Sequence, residues 1–270
     1  MNKILLIGCG HMGNSLLEAW IKEKNNSFII IDPKNYKKIN IKYKKKVKAF
    51  RFFKDIKIIT KFNIVIFAVK PQSIIGVMEK ISFNNFSSST LFLSIIAGKK
   101  ISFFEKYLQI KSQIVRIMPN MPALVQEGMT CSVSNRYVTK LNKSKTDNLL
   151  RGIGKNIWFS DEKFLDLVTA ISGSGPGYFF LFIYFLESVA IEMGFSKKIA
   201  KQLVQQTAYG SIKLLLNSSA TAEELSKKIA VKGGTTEAAL DVLENKNKFK
   251  NIIKKAIYAA HKKSIQLGKD

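Results

Sequence analysis

Six residues near the start of the chain, Gly8-Cys9-Gly10-His11-Met12-Gly13, restrict the fold more than any other feature of the sequence. They stand directly after an apolar strand-like run, Lys3 to Ile7, and directly before a helix-like segment from about Met12 to Glu23. In the spacing G-x-G-x-x-G each glycine has a physical reading. Gly8 permits a tight turn, Gly10 lets the main chain approach a pyrophosphate, and Gly13 allows the helix to pack closely on the strand. The helix start adds N–H donors and a partial positive charge. Alone the pattern is weak. Its place at the head of a strand–helix–strand unit strengthens it, as does Asp32 at the end of the next strand, Ser27 to Ile31.

Further short apolar runs follow at helix-length intervals: Ile64 to Val69, Thr90 to Ile95, Ile114 to Met118 and Thr130 to Val133. Such spacing predicts a doubly wound α/β domain, a mostly parallel sheet with helices on both faces. From about Phe164 the apolar period becomes helical, with Leu165, Val168 and Ile171, then Phe179, Phe182, Ile183 and Leu186. The expected division is therefore a dinucleotide-binding domain over 1–162 and an all-α domain over 163–270. The segment from Gly175 to Met193 is apolar nearly all round, and a helix of that kind must be buried on nearly all sides. A bundle this small offers little interior, so a subunit interface is expected. The alternative is the central helix of a monomeric bundle.

Composition narrows the classes. The net charge of +25 is spread along the whole chain, with a modest cluster at Lys42 to Lys48 and no arginine-rich arm. We read it as a basic surface that steers an anionic cofactor and substrate, and not as a nucleic-acid footprint. Cys9 and Cys131 make no disulfide framework or zinc site, and His11 and His261 are no metal pair, so no metal is expected. The N-terminus lacks the pattern of a signal peptide. The longest apolar stretch, Tyr178 to Leu186, is too short to span a bilayer, which predicts a cytosolic protein.

The candidate cofactor contacts are Gly8, Gly10, His11, Met12 and Gly13 in the glycine loop, then Asp32, Ala68, Val69, Lys70, Pro71, Ala97 and Asn120. A carboxylate at position 32 accepts from a free ribose 2′-hydroxyl and repels a 2′-phosphate, which favours NADH over NADPH. Lys34, Lys37 and Lys38 follow and offset that repulsion, and Asp32 as a plain turn residue is the alternative. Ala68-Val69-Lys70-Pro71 closes a strand at the edge where doubly wound sheets bind ligands, with Lys70 aimed at the cofactor or at solvent. Ser94 to Gly98 ends a strand on small residues that leave room for a nicotinamide. Asn120, between Pro119 and Pro122, stands in a rigid loop that walls the same pocket.

In the second half Ser172-Gly173-Ser174-Gly175-Pro176-Gly177-Tyr178 opens a helix with proline in its first turn. Lys232-Gly233-Gly234-Thr235-Thr236-Glu237 opens another, an arrangement suited to a carboxylate. Thr235 or Thr236 as a simple N-cap is the competing reading.

Taken in order, G-x-G-x-M-G, A-V-K-P-Q, R-x-M-P-N-x-P, S-G-S-G-P-x-Y and G-G-T-T-x-A-A-L resemble the pyrroline-5-carboxylate reductase family from residue 3 to about 265. That resemblance implies a Rossmann domain followed by an all-α dimerisation domain, in a homodimer that some members build into larger rings. It implies hydride transfer from NADH or NADPH to the C=N carbon of 1-pyrroline-5-carboxylate, giving L-proline. By the same resemblance Thr236 is the catalytic residue that hydrogen-bonds the ring nitrogen. Gly233, Gly234 and Thr235 hold the carboxylate, and Ser174, Gly175 and Pro176 shape the ring pocket. A protonated imine is already electrophilic, so no separate general acid is required. The chain departs from the family pattern at Val231 and Lys232, where a hydroxyl residue and proline are usual, and at Gly177, where alanine is usual.

Two rival classes remain at this stage. A β-hydroxyacid-type or other imine reductase shares the domain order but relies on a helical lysine, and none interrupts 175–193. A nucleotide-sensing or nucleic-acid-binding relative would have no use for the two substrate motifs.

Overall fold

The computed structural model of the chain describes residues 2–23, 25–56, 62–81, 86–108 and 111–268. The described residues form one sheet of eight strands: β1 (Asn2–Ile7), β2 (Asn26–Ile31), β3 (Val47–Phe50), β4 (Ile64–Phe67), β5 (Leu91–Ser94), β6 (Gln113–Met118), β7 (Gly128–Ser134) and β8 (Gly154–Trp158). Their order is β3-β2-β1-β4-β5-β6-β7-β8. Pairing is parallel from β3 through β6, antiparallel between β6 and β7, and parallel again between β7 and β8.

Alternation along the inner strands explains the layering. In β1, Ile4 and Leu6 enter one apolar cluster while Leu5 and Ile7 enter another. In β4, Ile64 and Ile66 face the first and Val65 and Phe67 the second. Successive strand residues point to opposite faces, so a continuous apolar run demands cover on both. The first face is covered by α1 (His11–Trp20), α2 (Tyr36–Tyr43) and α5 (Lys140–Arg151), through Leu16, Leu17, Trp20, Ile39, Leu149 and Leu150. The second is covered by α3 (Ile74–Met78), α4 (Ile101–Tyr107) and α6 (Phe164–Val168), through Ile74, Met78, Ile101, Phe104 and Leu165. Each fully buried aliphatic side chain contributes about 1.5–3 kcal/mol.

Two strands were not foreseen, and both are edges. β3 lies inside the lysine cluster, with Val47 and Ala49 buried and Lys48 exposed between them. A lysine on an edge strand keeps other chains from pairing with it. β8, at the other edge, alternates half-buried with exposed residues and carries no long apolar run.

The remaining helices are α7 (Gly175–Glu192), α8 (Lys197–Leu216), α9 (Ala222–Ile229), α10 (Thr235–Glu244) and α11 (Lys248–Leu267). The chain divides into two compact units, 1–174 with 260–270, and 175–259. This differs from a division at 162/163 because of two groups of residues. Leu165 on α6 is buried in the second cluster of the sheet, and Ser264 near the end of α11 donates to Asp166 at 2.9 Å.

The second unit leaves most of the large apolar residues of α7 exposed. On α7, Phe179 is 61% exposed and Phe185 54%. The helical run from Phe164 to Glu192 covers 29 residues and is long and apolar enough, by length and composition, to cross a bilayer. Counting only Tyr178 to Leu186 understates it, because past the single Glu187 the helix continues through Val189, Ala190 and Ile191.

Candidate active site

The glycine turn has the geometry that its spacing requires. Gly8 has φ +90°, and a β-carbon there would lie 2.7 Å from the Ala68 carbonyl oxygen. A β-carbon on Gly13 would lie 2.7 Å from the Gly8 carbonyl oxygen, so helix and strand approach only because it is absent. At Gly10 the same atom would meet nothing within 4 Å. The turn is thus closed on its protein side at Gly8 and Gly13 and open at Gly10. Helix α1 starts from Gly10 with no side-chain cap and no acid in its first turn, which leaves the helix start suited to an anion. The residues fit a dinucleotide pyrophosphate. His11 is exposed at this start, whereas Met12 packs against the first apolar cluster.

Cys9 sits in the turn as an inert neighbour. Burial, and then the nearby Asp32 carboxylate, push its thiol up to about 12, so it carries no thiolate at neutral pH.

Asp32 is buried, 6% exposed, and its oxygens are already engaged. Oδ2 accepts from the Cys9 N–H at 2.7 Å, and Oδ1 accepts from the N–H groups of Lys34 at 2.9 Å and Asn35 at 2.8 Å. The Asn35 side-chain amide donates to Oδ2 as well, at 3.3 Å. This carboxylate fastens the glycine turn to the turn after β2.

Ala68 and Val69 back Gly8 directly, and Pro71 opens a short 3-10 turn after the exposed Lys70. Ala97 packs on the second cluster. The space at Gly98 is filled from within: its φ is +78°, and a β-carbon would lie 2.5 Å from the Leu267 carbonyl oxygen. The small residue there admits the end of α11.

Asn120 is fully used. Its Oδ1 accepts from the Met129 N–H at 2.8 Å, and its Nδ2 donates to the Ser172 carbonyl at 3.1 Å and to the Ser172 hydroxyl at 3.3 Å. The reason lies in Pro176, which has no N–H to give the carbonyl four residues earlier. Ser172 is that residue, and the asparagine supplies the missing donor. The Ser-Gly motif therefore does not open a free helix. It lies between α6 and α7, where a π-helical turn, Thr169–Gly173, inserts before Gly175, and Ser174 N–H donates to Thr169 at 2.8 Å. Single π turns inside helices mark places where a helix is reshaped for a site.

Arg116, in the R-x-M-P-N-x-P stretch, belongs to the interior of β6. It is 1% exposed, and its Nη1 pairs with Glu162 Oε1 at 2.8 Å. Glu162 also accepts from the Ile101 N–H, so one carboxylate joins β6 to α4.

In the second unit, α8 and α9 are capped by Ser196 and Thr221, the latter with Glu224 in a reciprocal capping box. Helix α10 is not. Its N-cap is Gly234, so neither threonine caps it; they are its first two helical residues. The Gly234 N–H is bound to the Val231 carbonyl at 2.9 Å, and the Gly233 N–H to Glu237 Oε2 at 2.7 Å. The donors left open, among the described residues, are the N–H groups of Thr235, Thr236 and Glu237 and both threonine hydroxyls. Gly233 has φ +77°, which only glycine adopts without strain. Val231 and Lys232 are exposed beside it.

Sequence comparison resolves the family. Residues 162–267 match the family described as pyrroline-5-carboxylate reductase dimerisation, and residues 3–98 match NADP oxidoreductase, coenzyme F420-dependent. A pyrroline-5-carboxylate reductase from Pasteurella multocida is 34% identical, with 98% of each chain covered. The chain belongs to the pyrroline-5-carboxylate reductase family. Among solved structures, the pyrroline carboxylate reductase of Plasmodium falciparum with NADP bound has a TM-score of 0.86 at 30% identity, covering 99% of this chain and 98% of that one. The Coxiella burnetii pyrroline-5-carboxylate reductase has a TM-score of 0.86 at 30% identity, covering 100% and 99%.

One part of this pyrroline-5-carboxylate reductase family member went unseen in the sequence. A cleft of about 540 Å3 runs from Ile7 and Val69, beside the glycine turn, to Arg51 and Phe52 after β3 and Lys80 after α3. Its walls come from four separate segments, and the part after β3, Arg51 to Lys54, carries no recognisable spacing.

Proposed function

We propose that the chain is an NAD(P)H-dependent oxidoreductase that converts 1-pyrroline-5-carboxylate into L-proline, the closing step of proline synthesis. The observation that carries this reading is the uncapped start of α10, with Thr235 and Thr236 free. NADH or NADPH, held by Gly8, Gly10, Gly13 and the start of α1, supplies the hydride when bound. The chain's own residues bind and orient the imine. The N–H groups of Thr235 and Thr236 take the substrate carboxylate, and the Thr236 hydroxyl holds the ring nitrogen. Gly233 and Gly234 shape the turn that exposes those donors, since their own N–H groups are engaged. Lys232 adds a cation one turn away, where the family has proline. Ser174, Gly175 and Pro176 form the wall of the ring pocket, and Asn120 acts through Ser172 to position it.

The exposed face of α7 is covered by a second copy of the chain, in a homodimer; a ring of dimers is the larger assembly open to it. The protein works in the cytosol and needs neither metal nor nucleic acid.

Oxidation of NADH and NADPH with 1-pyrroline-5-carboxylate, followed at the nicotinamide absorbance, tests the reading. Turnover supports it. A folded dimer that oxidises neither cofactor with this substrate but does so with a six-membered cyclic imine would move the substrate, with Val231 and Lys232 as the cause.

A further inference from the structure

We infer that Ser264, with the last turn of α11 that carries it, is a positioning residue of the reductase, holding the turn Ser94 to Gly98 and helix α6 at a fixed separation. The inference rests on the reductase reading of the site and deepens it. Helix α11 has one buried residue in 20, and that residue is Ser264, 4% exposed. Its hydroxyl donates to Asp166 Oδ1 on α6 at 2.9 Å. Packing alone would be served by an apolar side chain. A buried hydroxyl bound to a carboxylate fixes direction as well as contact.

Leu267 and Gly268 stand three and four residues on, on the same side of the helix as Ser264. They meet Gly98 main chain against main chain. A β-carbon on Gly98 would lie 2.5 Å from the Leu267 carbonyl oxygen, and one on Gly268 would lie 2.9 Å from the Gly98 carbonyl oxygen. That approach needs both glycines. The next residue, Lys99, is 8% exposed, and among the described residues no carboxylate pairs with it. A cation there suits the carbonyl end of a helix. Slightly further on, the Ile101 N–H donates at 2.8 Å to Glu162, two residues ahead of α6. All of these residues belong to the first unit.

The elements so joined are the two that hydride transfer must align. The turn Ser94 to Gly98 closes β5, two strands along from β1 and its glycine turn. Neighbouring strands lie about 4.8 Å apart, which sets the end of β5 roughly 10 Å from the glycine turn, within reach of a nicotinamide riboside whose pyrophosphate is held there. Helix α6 runs directly into the π turn Thr169–Gly173 and the proposed wall of the ring pocket. The end of α11 therefore bears on the cofactor's reacting ring through Gly98 and on the imine's pocket through Asp166. Transfer needs the reacting atoms about 3–3.5 Å apart, and a misplacement of about 1 Å costs about a hundredfold in rate.

The test is a single turnover. The full-length protein, loaded with an equal amount of NADPH, is mixed with excess 1-pyrroline-5-carboxylate and followed at the nicotinamide absorbance. The rate constant reads the alignment, and the amplitude reads the folded, cofactor-bound fraction. Ser264→Ala should lower the rate constant about tenfold, with the amplitude kept and NADPH affinity within about twofold. Asp166→Asn keeps an oxygen to accept from Ser264 and should stay within about twofold of the native rate constant. Gly98→Ala should lose more than Ser264→Ala, because it displaces main chain. A native rate constant from Ser264→Ala overturns the inference, as does a loss confined to the amplitude, which is what a merely structural role would give. Asp166→Asn as slow as Ser264→Ala overturns it too, since the charge and not the bond would be the cause. Should Ser264→Ala not fold, Gly268→Ala decides by the same two readings. Absence of native turnover would reject the reductase reading and this inference with it, whereas native turnover beside an unaffected Ser264→Ala rejects the inference alone.

Discussion

The first unit of this reductase covers the apolar runs of its inner strands within one chain, whereas the second leaves most of the large apolar residues of α7 exposed. In the sheet, Ile4 to Ile7 and Ile64 to Phe67 are covered on both faces by helices of the same unit. On α7, Phe179, Phe180, Tyr184 and Phe185 are each more than half exposed, although the helix is largely apolar. Apolar surface of this extent, contiguous along a helix, marks an interface. The difference teaches that the first unit folds by its own packing, while the second depends on association for the same driving force.

The sharpest way to break the comparison is at α7. Leu181→Glu with Phe185→Glu puts two charges, one helical turn apart, into the proposed interface. Burying unpaired charges costs several kcal/mol each, roughly 6 kcal/mol together. Sedimentation should show the dimer lost while the first unit keeps its cooperative unfolding. A dimer that persists would show that α7 faces something else.

In the first unit the comparable break is internal. Glu162→Ala leaves the Arg116 charge buried without its partner and should lower stability by about 3 kcal/mol, read by urea unfolding. An unchanged midpoint would mean that solvent already serves Arg116.

A smaller effect is expected at Asn120. Asn120→Ala orphans the Met129 N–H and the Ser172 carbonyl, a loss of about 1–3 kcal/mol. On the proposed role of Asn120 in positioning the π turn, kcat should fall roughly tenfold while NADPH affinity, read by fluorescence, stays within about twofold. A matching loss of cofactor affinity would place Asn120 at the cofactor instead.

How much of this was legible follows from how local each cause is. The tight turn at Gly8 and the close helix packing at Gly13 follow from what a β-carbon would meet within one strand–turn–helix, and they were readable. The inner strands were readable too, because burial on both faces leaves an unbroken apolar run. β3 and β8 were not, because an edge strand needs only one buried face and its lysines or polar residues break the run. Asp32 was placed correctly at the strand end, but its partners are the N–H groups of Cys9 and of its own turn, which spacing does not reveal. Asn120 is the same case at longer range: its partner is exposed by Pro176, far along the chain. Gly98 was read as room for a ligand, and the end of α11 returns to fill it.

The smallest effect expected is none at all. Iodoacetamide at pH 8 should leave Cys9 unmodified in the native protein, since burial and Asp32 hold its thiol at about 12. Rapid labelling would mean that the glycine turn opens.

The central claim is that Thr236 holds the imine while the glycine turn holds the cofactor. Steady-state reduction of 1-pyrroline-5-carboxylate by Thr236→Ala, measured beside direct NADPH binding, tests it most directly. The account predicts kcat lowered about tenfold or more, a loss of about 1.4 kcal/mol or more in transition-state stabilisation, with cofactor affinity unchanged. Native turnover from Thr236→Ala, or a loss that falls wholly on cofactor binding, would contradict it.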